Sequence, residues 1–327
     1  QKKMKVPSST GLSTVAWYNS GKIQNKGWEF NIDIAAVKTK DWSFNFGFNI
    51  SQNKNEILEL PENKNDELYT FGNKNYAYSV MMGDPLGSFY GYRYKGVYQN
   101  VEETYAVNTS GQRILDIDGN PVVMKNGDQK VYPGDARYED VNGDGVIDEN
   151  DIVYLGNSNP TLTGGLNFTL RYKKVSLVAA FHGRAGQKVI NQARMDMENM
   201  RGKNNQSVAV LRRWRSEGDD TDIPRALYDK GYNYLGSDRF VEDASFLRLK
   251  TVTLKYQMPA KWMKAIGVNK LELYATGYDM FVWTKYKGQD PEVNLKAAND
   301  GTVAQVAIDS NNTPKPFKIA FGLNLNF

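Results

Sequence analysis

The residues best suited to chemistry stand in one short acidic segment, "DVNGDGVIDEND", from Asp140 to Asp151. Oxygen-bearing residues recur there at every second position. Gly145 stands sixth, where a loop that wraps around an ion must turn sharply. Ca²⁺ prefers hard oxygen ligands at this spacing. The pattern predicts a calcium site whose ligands are Asp140, Asn142, Asp144, Val146 through its carbonyl, Asp148 and Asp151.

Two features leave an alternative open for this segment. The last ligand is Asp151, where a bidentate Glu is usual, and no helical pattern precedes Asp140. Asp, Asn and Gly are also the residues of ion-free turns, in which side chains bind their own backbone. The segment is therefore either a calcium loop or such a turn.

The composition excludes several catalytic classes. The chain has 327 residues, no cysteine and one histidine, His182, which excludes thiolate and multi-histidine centres. The motifs of phosphate-binding loops, serine hydrolases and zinc proteases are absent. A formal net charge of +4 without a long basic block argues against a nucleic-acid partner. We therefore expect neither an enzyme nor a nucleic-acid-binding protein.

The elements that must position the acidic segment are strands with alternating apolar and polar residues. The final one, "KPFKIAFGLNLNF", places its apolar side chains on one face and ends at Phe327. The same alternation recurs in "WEFNIDIAAV", "WSFNFGFNI", "LNFTLRY", "VSLVAAF", "FLRLKTVTLKYQMP" and "KLELYATGYDMFVW". These patterns predict about seven strands and an all-β fold.

The connections between these strands are unequal in length. Short ones fall at 38–41, 173–174 and about 259–269, and long polar ones fall at about 59–162, 184–243 and 285–315. If consecutive strands run up and down, the short connections share one rim and the long ones share the other. This asymmetry is typical of outer-membrane barrels. The alternative is a soluble β-sandwich, whose strands also alternate.

The membrane interpretation makes 59–162 one long extracellular excursion that carries the loop 140–151. A tilted strand of about eleven residues rises about 25 Å, which matches the apolar band of such barrels. No apolar run has the length of a membrane helix, and no signal peptide is recognisable. Bacterial barrels use even strand numbers, so an odd count predicts that residues 1–327 form the C-terminal part of a longer barrel domain.

Several ordered segments resemble the SusC/RagA family of TonB-linked outer-membrane transporters. They include "DWSFNFGFNISQNKNEI", "GDPLGSFYGYRYKGVYQ", "PGDARYEDVNGDGVIDENDIVYLGNSNPTLTGGLNFTLRYKKVSL", "DASFLRLKTVTLKY", "LYATGYDMFVWTKYKGQDPEV" and the closing "FGLNLNF". The resemblance covers nearly the whole chain and concerns the C-terminal third of the family. It implies a transmembrane barrel of about 22 antiparallel strands with long extracellular loops, located in the outer membrane.

The same resemblance implies an activity and partners. Members of the family import oligosaccharides, or in some cases peptides, together with a SusD-like lipoprotein that caps the extracellular mouth. Energy reaches them through TonB, which contacts an N-terminal part not recognisable in these residues. The chain is therefore expected to supply barrel wall in contact with outer-membrane lipid. The alternatives are a passive porin and a soluble calcium-binding β-sandwich or adhesin.

Aromatic residues of the long connections are the candidates for contact with a substrate or the lipoprotein. Tyr90, Tyr92, Tyr94 and Trp214 lie in the connections 59–162 and 184–243. Such rings stack on sugars. Rings in loops more often pack within the loop, so this second interpretation stands beside the first.

Overall fold

The main element of the computed structural model is a seven-stranded antiparallel sheet, called the wall below. The structure describes residues 2–5, 9, 11, 15–18, 21–60, 69–70, 76–78, 81–265, 267–297 and 305–326. The wall strands are β1 (Lys22–Lys38), β2 (Trp42–Glu59), β3 (Leu162–Tyr172), β4 (Val175–Ala185), β5 (Phe246–Gln257), β6 (Lys270–Thr284) and β7 (Lys318–Asn326). Each strand pairs with its neighbour in the chain, which confirms the predicted β fold.

Cross-strand register keeps one apolar face continuous across the wall. Side chains directly opposite each other in paired strands point to the same face. One row of paired residues crosses all seven strands: Ile34, Phe46, Phe168, Ala179, Val252, Gly277 and Ile319. The next row is Val37, Phe44, Leu170, Leu177, Leu254, Ala275 and Phe321. The alternation within single strands therefore becomes a two-faced sheet.

Strands β1 and β2 are longer than their apolar patterns predict. Their pairing continues to Lys22 opposite Glu59, although residues 51–55 are polar. The pairing continues because the backbone N–H and C=O groups of the two strands form hydrogen bonds with each other, whatever side chains they carry. The extension carries both strands beyond the apolar rows on the side of the long connections. At the other end of the chain, Phe317 precedes β7, and Phe327 lies outside the described residues.

Three short connections lie together at one rim, called the short-turn rim below. Residues 39–41 join β1 to β2, and Lys173 with Lys174 joins β3 to β4. The third connection contains the helix α2 (Ala260–Ala265) between β5 and β6. Met263 of this helix and Val268 after it are buried, which fixes the helix against the end of β6.

The long connections contain the other elements. Their strands are Tyr69–Thr70, Ala77–Tyr78, Ser88–Gly91, Tyr94–Val97, Lys125–Asn126, Gln129–Lys130, Ala136–Tyr138, Val146–Ile147, Val153–Asn157, Lys188–Asn191, Val241–Asp243, Leu295–Ala297 and Gln305–Asp309. Two further strands, Lys2–Lys5 and Val15–Tyr18, pair with each other before the wall begins. The helices are α1 (Gln192–Glu198) and 3₁₀ turns at Glu102–Thr104, Glu149–Asp151, Val208–Arg212 and Asp238–Phe240. No helix in the described ranges has the length and apolarity needed to cross a membrane.

Buried apolar clusters join the long connections into one packed mass, called the connection body below (described residues of 76–160, 187–245 and 285–312). One cluster unites all three connections and contains Tyr76, Phe89, Ile190, Met195, Phe240 and Val306. A second cluster lies mainly within the first connection and contains Tyr98, Ala106, Met124, Val131, Ala136, Tyr138 and Ile147. Burial of this apolar surface offsets the conformational entropy that the loops lose when they become ordered.

Candidate functional site

The apolar face of the wall is open. Phe321 is 82% exposed, Phe317 is 67% exposed and Phe281 is 58% exposed. In a sandwich these rings would fill the space between two sheets and be buried. The described residues therefore do not form the core of a soluble β-sandwich, and that alternative is rejected. An apolar surface of this extent marks contact with another molecule or with lipid.

The opposite face of the wall is polar and hydrogen-bonded across strands. Ser51 and Thr163 hydroxyls lie 2.7 Å apart, and Thr253 and Thr276 hydroxyls lie 3.0 Å apart. Side chains on this face are so close together that position 47 has room only for glycine. A Cβ atom on Gly47 would stand 2.5 Å from the Asp33 carboxylate. The wall thus has one continuous apolar face and one polar face.

The acidic loop 140–151 folds around its own backbone. Asp140 accepts hydrogen bonds from the backbone N–H groups of Gly143 at 2.7 Å and Gly145 at 2.8 Å. Asp151 is fully buried and accepts from Val141 at 2.7 Å and Asp148 at 2.9 Å. Its burial raises the pKa of the Asp151 carboxyl, which these backbone hydrogen bonds only partly oppose.

The remaining predicted ligands make similar local contacts. Asn142 donates from its amide to an Asp144 carboxylate oxygen at 2.9 Å, and Val146 N–H donates to the other Asp144 oxygen at 2.8 Å. Asp148 caps the following 3₁₀ turn by accepting from Asn150 N–H at 2.8 Å. Within the described ranges, no group of three or more Asp, Glu, His or Cys side chains is arranged to hold a metal ion. The arrangement matches the ion-free turn, and occupancy by calcium stays a prediction.

The candidate tyrosines lie inside the connection body. Tyr90 is 3% exposed and donates its hydroxyl hydrogen to Asp84 at 2.5 Å, so its ring has no open face for a sugar. Tyr92 is half-buried with its ring centroid 5.6 Å from that of Tyr138. Burial, followed by the charges of the acidic loop, raises the pKa of Tyr92 to about 12. Tyr94 donates to the Asp222 carbonyl at 2.5 Å. These contacts favour packing within the connections.

Trp214 packs against a glycine rather than lying open. A Cβ atom on Gly134, whose φ is +87°, would collide with the Trp214 ring. The indole Nε1 is buried and has no hydrogen-bond partner among the described residues. The backbone N–H of Trp214 donates to the Ile223 carbonyl at 2.8 Å. Trp214 therefore clamps two segments of the body together, and none of the four candidate rings gathers with the others at one open surface.

Two buried ion networks, absent from the sequence-based predictions, stabilise the connection body. Arg194 donates to Glu198 at 2.9 Å and to Glu242 at 2.8 Å, and Arg239 donates to Glu198 at 3.0 Å. All four side chains are at most 21% exposed. Burial alone would lower the pKa of Arg194, but Glu242 and Glu198 outweigh it and raise this pKa.

The second network fixes the third connection to the wall. Arg248 of β5 is 3% exposed at its side chain and contacts Asp290 at 2.5 Å and Glu292 at 3.5 Å. Glu292 also contacts Lys250 at 3.4 Å and Lys315 at 2.5 Å. Burial alone would raise the pKa of Glu292, but Lys315, Lys250 and Arg248 more than offset it and lower this pKa.

One small cavity of about 160 Å³ opens on the connection body. Arg225 donates to the two carboxylate oxygens of Asp135 at 2.8 and 3.1 Å in its lining, and Tyr132 and Asn233 complete the polar wall. Ligand pockets usually exceed about 300 Å³. This cavity fits a single small group and not a whole oligosaccharide or peptide.

Comparison with known proteins finds relatives along nearly the whole chain. The chain is 33% identical over 328 residues to TonB-dependent receptor P26 of Formosa agariphila. It is 27% identical over 335 residues to the TonB-dependent receptor SusC of Bacteroides thetaiotaomicron. The chain is homologous to TonB-dependent receptors. The matches include 98% and 99% of this chain but 31% and 28% of the relatives, so the chain spans about a third of their length. No protein-family profile matches it.

Solved structures show the same fold. The RagAB peptide importer in its closed-closed state aligns with a TM-score of 0.69 at 23% identity, covering 98% of this chain and 31% of that one. A further structure of the RagAB peptide transporter aligns with a TM-score of 0.68. The predicted resemblance to the SusC/RagA family and the partial-barrel fold are confirmed. TonB-dependent receptors are outer-membrane proteins, which confirms the predicted location.

Proposed function

We propose that this chain forms part of the wall and several loops of a SusC-type transporter that imports oligosaccharides or peptides across the outer membrane. The observation that carries the proposal is the homology to TonB-dependent receptors over 98% of the chain. The fold supports it independently, since the sheet has an open apolar face and a polar reverse. Alternation of this kind is what a barrel needs between lipid and a wet lumen.

Each surface has a role in this proposal. The apolar rows of the wall face hydrocarbon, and the polar face lines the lumen. The short-turn rim faces the periplasm and the connection body faces the outside, as in barrels of this type. The chain carries out no chemical step; its own residues shape the pore and the outer surface.

The connection body is the proposed docking surface for a SusD-like lipoprotein. It is a packed mass held by buried clusters and ion networks, so it offers a preformed surface rather than loose loops. TonB engages a part of the transporter outside this wall. The substrate is bound by the complete transporter, because the cavity on the described part of the connection body is too small for it.

A calcium ion in the loop 140–151 would stiffen the connection body and take no part in transport chemistry. The spacing of the carboxylates supports this proposal, while their present backbone hydrogen bonds support the ion-free turn. The loop is tied to the second apolar cluster through Ile147, which is 2% exposed.

Uptake by living cells tests the proposed function. Cells that carry the full-length transporter would be supplied with fluorescent oligosaccharides in one arm and fluorescent peptides in the other, with TonB present or removed. We expect uptake of one class, dependent on TonB and on the transporter. Uptake that persists without TonB would instead identify a passive porin. Co-purification of a lipoprotein with the tagged transporter tests the partner.

A further inference from the structure

The short-turn rim concentrates positive charge. Its three connections, taken with the strand-end residues Lys38, Gln257 and Lys270 that border them (38–41, 173–174 and 257–270), hold seven lysines and one acid, Asp41. The whole chain has 41 basic and 37 acidic residues, so the remainder has 34 basic and 36 acidic ones. The positive net charge of the chain therefore comes from this one rim.

Most of these lysines have no acidic partner. Lys38, Lys40, Lys173, Lys174 and Lys261 are exposed, and within the described ranges none of them forms an ion pair. The other described rim lysine, Lys270, lies 3.9 Å from Glu272. Five cations in one band without partners leave a positive field at this edge of the wall.

The lysines border a row of exposed aromatic rings on the apolar face. Trp42 and Tyr172 are opposite each other in paired strands, and their ring centroids are 4.3 Å apart. Tyr172 is opposite Val175 of the next strand, and Val175 is opposite Tyr256. Trp42, Tyr172 and Tyr256 are 46%, 42% and 41% exposed. Trp and Tyr concentrate where hydrocarbon meets headgroups, so this row marks the depth of the bilayer surface.

The turn between β3 and β4 keeps a lysine where the backbone favours another residue. Lys173 has a φ of +51°, a conformation that Gly and Asn adopt at lower cost in two-residue turns. The ammonium group of Lys173 stands 5.2 Å from the Tyr172 ring centroid, at the edge of the apolar face. A cation is thus held at the bilayer surface in spite of backbone strain.

Helix α2 adds the same combination at the third connection. Trp262 is 61% exposed and Lys261 is exposed beside it, while Met263 faces inward at 8% exposure. An exposed indole next to an ammonium group on a short helix suits the interface between acyl chains and phosphates.

We propose that the short-turn rim binds the phosphate groups of anionic phospholipid headgroups in the leaflet that it contacts. The five unpaired lysines supply the charge, and the aromatic row places them at headgroup depth. The inference rests on the proposed function, because it requires the apolar face to lie in a bilayer. Selection of anionic lipid would anchor this rim and set the height of the wall in the membrane.

Native mass spectrometry of the full-length transporter tests this proposal. The protein would be released from nanodiscs that contain equal amounts of phosphatidylglycerol and phosphatidylcholine with identical acyl chains. We expect retained lipid to favour phosphatidylglycerol about fivefold, the size of one lysine–headgroup attraction near a membrane surface. The preference should fall as salt is added before release.

Matched variants assign the preference to the rim. The test variant replaces five lysines by Gln: Lys38, Lys40, Lys173, Lys174 and Lys261. The control variant makes the same change at five exposed lysines of the connection body: Lys125, Lys203, Lys230, Lys285 and Lys287. We expect the test variant to lose the preference and the control to retain it. Equal retention by all three proteins, or no preference in the parent, would overturn the inference.

The same experiment separates this inference from the proposed function. Failure of the parent to enter nanodiscs would contradict the membrane barrel itself. A parent that enters nanodiscs and retains both lipids equally would contradict only the lipid selection.

Discussion

Asp140 binds three backbone N–H groups of its own loop, those of Gly143, Asp144 and Gly145. These hydrogen bonds hold the loop in its present shape. A calcium loop is therefore distinguished from an ion-free turn by whether Ca²⁺ stabilises that shape further.

Replacing Asp140 and Asp144 by Ala should loosen residues 140–151, because the part-buried N–H groups of Gly143 and Gly145 lose their acceptor, and a buried N–H group without a partner costs about 1–3 kcal/mol. If the loop binds calcium, Ca²⁺ should raise the hydrogen-exchange protection of these residues in the parent but not in the variant. Asp116→Ala provides the control, since Asp116 accepts from Asp118 at 2.9 Å in a similar turn. If the variant loses the same protection with and without Ca²⁺, the loop does not bind calcium.

Gly134 tests the clamp formed by Trp214. Gly134→Ala should cost about 1–3 kcal/mol through overpacking against the indole, added to the strain of a positive φ. Gly111→Ala carries the same backbone strain at φ +77°, but nothing lies within 4 Å of its new Cβ atom. Hydrogen exchange at residues 132–136 and 213–225 measures the difference. Similar effects of the two substitutions would mean that Trp214 does not clamp these segments.

At the scale of elements, Glu292 links the third connection to strand β5. Glu292→Gln should destabilise this contact by about 1–3 kcal/mol at neutral pH, because Arg248 and Lys250 lose a partner. Since the pKa of Glu292 is lowered in the fold, its stabilisation is present above the usual value of 4.5 and is lost as the pH falls below it. Thermal unfolding between pH 3 and pH 7 should show parent and variant converging only at the acidic end. A constant difference across this range would contradict the ion network.

Strands were predictable and connections were not, for a physical reason. Alternation with a period of two, as in "WSFNFGFNI", is local, so Phe44, Phe46 and Phe48 reveal their common face without knowledge of any partner. The ion networks are not local, because Arg194 and Glu242 are 48 residues apart. The burial of Tyr90 likewise depends on a distant partner, since Tyr154, 64 residues further along the chain, places its ring centroid 5.9 Å from that of Tyr90.

The polar extension of β1 and β2 shows the limit of the pattern itself. Residues 51–55 have no apolar alternation, yet they pair with 25–29 of the neighbouring strand. Backbone hydrogen bonds extend a strand beyond the residues whose side chains alternate. Patterns of alternation therefore measure the apolar band and underestimate the strand.

At the scale of the whole molecule, the two rims should face different compartments. Ile117 lies fully exposed at a hairpin of the connection body, with a relative exposure of 102%, and Lys174 is exposed at the short-turn rim. Residues 1–327 contain no cysteine, so a cysteine introduced at either position is the only one in this chain, and the unsubstituted transporter supplies the background. Ile117→Cys should react with an impermeant maleimide in intact cells, and Lys174→Cys only after the outer membrane is permeabilised. The opposite pattern would invert the orientation.

The central claim is that the apolar face of the wall lies in hydrocarbon, and neighbouring positions of β7 test it most directly. Phe321 is 82% exposed on that face, and Ala320 is the exposed neighbour on the polar face. Folding of the full-length transporter into lipid vesicles, followed by urea titration, measures both substitutions by lysine. We predict that Phe321→Lys destabilises the protein by about 2–4 kcal/mol and that Ala320→Lys has little effect. Equal costs, or a larger cost at Ala320, would contradict a lipid-facing wall.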